Sequence, residues 1–217
     1  MKKILFIICV TTFCVPVFSG DHFHEDEHEV RYIKQAIHLN ADVQYHLRNG
    51  ISWKEFQSLN PNWYVYFNEY NRKPHRAFGE GISVTNPSNF IENNLSVFNV
   101  PFADLILASE TENEKYKNYI YTQSYHDLEV LDSRLYIKMN KNNEVVVFGL
   151  DVFSDINISI IPTFSASSSL VSAKQNLPFS ITDSDIEESL KILPIPKNGN
   201  YEYHLVYVVH LSTKNNI

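Results

Sequence analysis

Cysteine is nearly missing from this chain. Its two cysteines, Cys9 and Cys14, both lie close to the N-terminus, in a stretch read below as a removable leader. Without that leader the chain has neither disulfides nor thiolate metal sites, and its stability must come from burial alone. Glycine is also scarce. Its six copies are too few for most phosphate-cradling architectures, and no Gly-rich phosphate loop occurs. There is no Ser nucleophile elbow, no catalytic Cys and no carboxylate pair with a supporting motif. Positive charge is in deficit: 18 Lys and Arg against 25 Asp and Glu give a formal net charge of −7. That balance argues against nucleic acid as a partner and suits a basic protein surface.

Residues 1–20 have the physics of a secretory signal peptide. Lys2 and Lys3 supply the positive start, a short apolar run follows, and Ser19 and Gly20 are small residues suited to cleavage. The chain is therefore predicted to be secreted, with no stable membrane span after cleavage. The competing reading, an uncleaved anchor, runs against the shortness of the apolar run. Residues 21–29 are acidic and rich in His. His24-Glu25-Asp26-Glu27-His28 matches H-E-x-x-H, which in a zincin places both His on one face of a buried helix, with the Glu as general base. Here charged flanks leave no apolar stripe to bury such a helix. The segment reads as a solvated tail, with His24 and His28 as no more than loose metal ligands, and no cofactor is expected.

A helical lead-in follows. Tyr32, Ala36, Leu39, Val43 and Leu47 recur at helical steps up to Asn49-Gly50. Ser52 to Glu55 reads as a capping box opening a second, short helix docked by Trp53 and Phe56, with Asn60-Pro61 as its stop. From Trp63 the pattern alternates, with Trp63, Val65 and Phe67 opposite Tyr64 and Tyr66. Asn86-Pro87 opens a helix whose buried stripe is Ile91, Leu95 and Phe98. Residues 110–117 read as a charged connector.

Three strands are then predicted. Tyr119, Tyr121, Gln123 and Tyr125 share one face of the first, and Leu131, Ser133, Leu135, Ile137 and Met139 one face of the second. Residues 126–129 and 140–143 are the breaks, and residues 145–150 form a covered apolar strand. Further on, Ser165 caps a short helix stopped by Pro178, and residues 190–195 form a short strand. Asn198-Gly199-Asn200 makes a turn, and residues 201–211 alternate as a last strand. His204 and His210 fall on one face of it and read as polar edge residues.

Two strings carry a family resemblance. Pro74-His75-Arg76-Ala77-Phe78-Gly79 after an aromatic strand, and Gln123-Ser124-Tyr125-His126-Asp127-Leu128-Glu129-Val130 further on, resemble the propeptide domain of fungalysin- and thermolysin-type zinc metallopeptidases. Asp127 stands where that family has Gly, and Asn142 or Asn143 replaces its turn Gly. Residues 152–217 look like the PepSY-type module that accompanies such propeptides.

The resemblance implies an α+β fold of two small cystatin-like units, each an antiparallel sheet covered by a helix. The division expected is signal peptide 1–20, tail and lead-in 21–60, propeptide-like domain 61–151 and PepSY-like module 152–217. Ile91, Leu95, Phe98, Tyr121, Gln123, Tyr125, Val130 and Leu135 are its expected core. The implied role is to inhibit, and assist the folding of, a zinc metallopeptidase catalytic domain. That domain is missing from this sequence, so it is expected in cis in a longer precursor or in trans. His75, Arg76 and Phe78 are the candidate partner-interface residues. Arg76 either meets carboxylates of the partner or holds its own loop together. The alternatives are a free-standing secreted inhibitor or adhesion module, and a zincin built on His24, Glu25 and His28.

Overall fold

The computed structural model describes residues 39–175, 177, 181–187 and 189–213, and the backbone of Lys2–Cys9. The H-E-x-x-H string and the first part of the lead-in fall outside these residues. The chain is α+β: a largely antiparallel sheet and, among the described residues, four α-helices. The helices are α1 (Ala41–Arg48), α2 (Ile51–Leu59), α3 (Pro87–Asn94) and α4 (Ala166–Lys174). The strands are β1 (Lys2–Cys9), β2 (Trp63–Phe67), β3 (Pro74–Ser83), β4 (Leu105–Glu112), β5 (Tyr116–Tyr125), β6 (Leu128–Asn140), β7 (Glu144–Asp151), β8 (Ile181–Ile186), β9 (Lys191–Lys197) and β10 (Asn200–Thr213).

The sheet path runs β1-β10-β9-β6-β7-β3-β2, with β5 between β4 and β6 and with β8 on β10. Instead of the two separate sheets expected from the sequence, this one sheet holds the strands of both expected units as its two halves. At thirteen residues, β6 outreaches β7. Its projecting start pairs in parallel with β9, Glu129 with Lys191 and Val130 with Ile192. Lys191 also bridges Glu129 and Glu187, at 2.9 and 2.8 Å.

One face of the first half is greasy, and the helices cover it. Leu135, Ile137, Met139, Val145, Phe148 and Leu150 of β6 and β7 join Trp53, Phe56, Phe90, Ile91, Leu95 and Phe98 in one core. Phe148 sits at its centre, with Trp63, Phe56 and Phe90 at ring distances of 5.4–5.5 Å. The Asn86 side chain caps α3 by accepting from Asn89 N–H at 2.8 Å, and a 3₁₀ turn, Ser96–Phe98, carries the stripe on. The second half has a smaller core of Ala173, Val209 and Leu211 under α4.

Several local expectations are corrected. The Ser52 capping box does not form: the N-cap of α2 is Gly50, two residues earlier, without a side-chain cap. In α1, Gln44 is the buried residue, while Leu39 before it is exposed, because the helix face is set by a polar contact described below. The 126–129 break is shorter than expected. His126 and Asp127 alone make the turn, at φ 49° and 64°, where Asp tolerates the left-handed region. Residues 110–117 are no connector but the hairpin of β4 and β5, whose exposed outer strand carries charge rather than alternation. The 74–79 string is itself strand β3. In β6, Asp132 at φ 59° makes a bulge. Val130 is thereby buried and Leu131 only half-buried, which breaks the simple alternation.

Side-chain amides close gaps that the backbone ladder leaves. Gln44 Nε2 donates to Phe67 O at 2.9 Å and its Oε1 accepts from Phe67 N–H at 3.0 Å, so α1 stands in for a strand beside β2. Gln123 does the same for Phe153, donating to its carbonyl at 2.6 Å and accepting from its N–H at 2.8 Å. Lys73, buried in the β2–β3 loop, donates to Phe98 O, Asn99 O and Ser154 Oγ at 2.7, 3.0 and 2.5 Å. Burial pushes its ammonium down to about 8, against a smaller upward pull from Asp155.

Candidate partner-binding face

Among the described residues no helix covers the opposite face of the first half: α1, α2 and α3 all lie on the core side. Strand alternation sends Tyr64 and Tyr66 outward from β2 and Arg76 and Phe78 outward from β3. Cross-strand register aligns them in rows. Tyr64 faces Phe78, Phe78 faces Val147, and Val147 faces Lys138. In a second row Tyr66 faces Arg76, while Gly149, Tyr136 and Ile120 continue across β7, β6 and β5.

The aromatic rings stack. Phe78 lies 5.8 Å from Tyr64 and 6.4 Å from Tyr66, at interplanar angles of 27° and 29°. Tyr64 remains 66% exposed. Cations sit over other rings, Arg134 at 5.4 Å from the Tyr136 centroid and Lys138 at 5.2 Å from that of Tyr116. A shallow depression of about 680 Å³ runs among Tyr64, Phe78, Glu80, Tyr116, Lys138 and Val147.

Gly149 is what lets the Tyr136 ring approach β7 so closely. A Cβ there would overlap the edge of Tyr136 and the carbonyl oxygen of His75. Burial pushes the Tyr136 phenol up to about 12, with Arg76 and Arg134 pulling it the other way. It is therefore a neutral donor at any physiological pH.

Of the three interface residues picked from the sequence, Arg76 and Phe78 are exposed on this face. His75 lies at its margin and is engaged internally. Its Nδ1 is 2.9 Å from both oxygens of Asp151, and Asn68 Nδ2 donates to Asp151 at 3.3 Å and to the Tyr201 hydroxyl at 3.2 Å. This network ties β3 and β7 to the start of β10. Of the core residues picked, Ile91, Leu95, Phe98, Tyr121, Gln123, Val130 and Leu135 are buried and Tyr125 is half-buried. His210 is 2.9 Å from Glu187 and His204 3.5 Å from Glu202. Among the described residues no three His, Cys, Asp or Glu side chains gather as a metal site. Sequence reading did not single out Tyr64, Tyr66, Arg134, Tyr136 and Lys138. The alternation of β2 already set the two tyrosines opposite the core, which was the available signal.

No protein-family model matches this chain, and no curated protein is similar to it. Among solved structures it is similar to the Bacillus megaterium YpeB C-terminal domain. Identity is 14%, over 82% of this chain and 89% of that one, with a TM-score of 0.32.

Proposed function

We propose that this chain is a non-catalytic, propeptide-type module that inhibits a secreted zinc metallopeptidase and assists its folding. The observation that supports this most is the open aromatic and cationic face. It carries Arg76 and Phe78 from the very string that resembles metallopeptidase propeptides. On a chain of net charge −7, that face gathers Arg76, Arg134 and Lys138, while Asp151 beside it is occupied by His75. Stacked, half-exposed aromatics next to Arg are the residue types that dominate protein interfaces. The face suits a peptidase domain with carboxylates around its cleft, and steric blockade requires no chemistry from the module itself.

The test is inhibition in trans. Purified chain, added to a thermolysin- or fungalysin-type peptidase, slows peptide hydrolysis in a dose-dependent manner and hydrolyses no casein alone, with or without zinc. A folded chain that leaves such peptidases untouched at high excess would count against the proposal. So would zinc-dependent cleavage by the chain itself that Glu25→Gln abolishes.

A further inference from the structure

The free edge of β2 is capped at Phe67 and at the Trp63 carbonyl, and is open at Val65 between them. Backbone groups along a strand alternate in direction. Phe67 N–H and C=O point away from β3, since both are taken by Gln44. Trp63 C=O also points away and accepts from Gln57 Nε2 at 3.3 Å. Val65 lies between them in the same phase, so its N–H and C=O face the edge as well. Among the described residues nothing caps them. The Val65 side chain is in the core, at 5% exposure, so the part of this residue facing outward along the edge is backbone.

That backbone borders a cavity of about 310 Å³, walled by Trp53 and Gln57 of α2 and by the outward rings of Tyr64 and Tyr66. Arg48 and Lys54 line it too, and among the described residues no acidic side chain does. Both cations are exposed, and neither has an ion-pair partner among the described residues. An uncapped strand edge is ordinarily a liability that proteins blunt. Here the blunting is applied on both sides of one residue and withheld at that residue.

We propose that this slot receives the C-terminal residue of an extended polypeptide. An added strand pairs through its backbone. Gln44 blocks continuation past Phe67 and the Gln57 side chain takes the Trp63 carbonyl, so the slot has room for one residue paired on both its backbone groups, which suits a chain end. Two cations without a carboxylate select the negative end over the ammonium end. The Val65 N–H and C=O pair with the terminal residue's backbone, Arg48 and Lys54 hold the carboxylate, and Trp53 and Tyr66 flank the side chain. This does not require the partner to be a peptidase, and it uses different cations from the open sheet face.

The probe is a pool of short fluorescent peptides, randomised at the last positions with Asp and Glu left out, prepared as free acids and as C-terminal amides. A third pool of amides carries one internal Asp. Binding is followed by fluorescence anisotropy and by the backbone amide NMR signals of the full chain. The free-acid pool is expected to bind and to move the Val65 amide signal. The amide pool should bind at least about tenfold more weakly, the size of one lost charge-assisted hydrogen bond. Combining Arg48→Gln with Lys54→Gln should cost a similar factor while the other amide signals stay in place, and Arg76→Ala should leave peptide binding unchanged. Equal binding of acids and amides, no movement of Val65 at about 1 mM peptide, or binding confined to the Asp-bearing amides would each overturn the proposal. Loss of peptidase inhibition with peptide binding intact would instead strike only the function proposed above.

Discussion

Gln123 and Phe153 are joined by two hydrogen bonds that close a ring between a side-chain amide and a backbone, 2.6 and 2.8 Å long. Gln123 belongs to β5, in the first half of the sheet. Phe153 packs with Val130 and Ile192 at the seam between the halves. The Gln123 N–H is itself held, donating to Ser133 Oγ at 2.8 Å, so the amide is fixed before it reaches across. Gln123→Ala leaves a buried N–H and a buried C=O without partners, at about 1–3 kcal/mol each. A loss of about 2–6 kcal/mol is expected in denaturant unfolding. Gln123→Glu keeps the acceptor and loses the donor, so it should be less damaging near pH 4, where the carboxylic acid can still donate.

Leu95 closes α3 at 0% exposure, against the core of β6 and β7. Leu95→Ala should destabilise by about 2–5 kcal/mol. Thermal unfolding followed by far-UV circular dichroism measures it.

Gly149→Ala tests the close approach of the Tyr136 ring. The added methyl has no room, and overpacking of this kind costs about 1–3 kcal/mol. In a double-mutant cycle with Tyr136→Ala, the combined loss should be smaller than the sum of the single losses, because the ring edge is then gone. Strict additivity would mean that the His75 carbonyl is the only obstacle.

The sheet was legible in the sequence where side chains alternate between core and water. Trp63, Val65 and Phe67 in β2, and Ser133 to Met139 in β6, lie on the faces that their spacing indicates. The N-caps of α3 and α4 were legible too, since Asn86 and Ser165 are strong local signals. Three kinds of feature were not. The burial of Gln44 follows from a long-range contact with Phe67, which helical spacing cannot report. The Asp132 bulge shifts the face within one strand. The parallel pairing of β6 with β9 depends on β6 outrunning β7, a matter of relative strand length. For the candidate site, the 74–79 string drew notice to Arg76 and Phe78. Their neighbours from β6 are brought alongside only by register.

Lys73 makes stability rise with pH in the alkaline range. Its pKa falls from 10.5 free to about 8 in the fold. Below about pH 8 both states carry the proton, and the folded state bears the full cost of burying it. Between about 8 and 10.5 the folded state has released the proton while the unfolded state still holds it. By linkage, stability then rises, by up to about 3 kcal/mol over that window. Chemical denaturation at pH 7.5 and 10 (about the two sides of the window) should show the gain. Lys73→Met should abolish the gain and, by stranding the carbonyl of Phe98 while Asn99 O keeps its hydrogen bond from Ser154 Oγ, lower stability at neutral pH.

If the open sheet face binds a peptidase, Arg76→Ala should weaken inhibition by about 2–5 kcal/mol where the guanidinium is buried against a carboxylate, and far less at the rim. Phe78→Ala should cost more than about 1 kcal/mol, as it removes the ring on which Tyr64 and Tyr66 both stack. Both side chains are exposed in the free chain, so unfolding midpoints should barely move. A large drop in midpoint would reassign the effect to folding.

The two residue pairs that link β6 to β9 make the sheet mechanically uneven. Tension that draws the halves apart across this ladder loads its hydrogen bonds one after another, as in a zipper. The same tension along β6 against β5 and β7 loads long ladders in parallel. Under stretching, the second half should therefore peel away first, at low force, held back chiefly by the Gln123 ring, the Lys191 bridge and the Asn68–Tyr201 hydrogen bond. The remaining half, with its aromatic core around Phe148, should then give a separate and higher rupture.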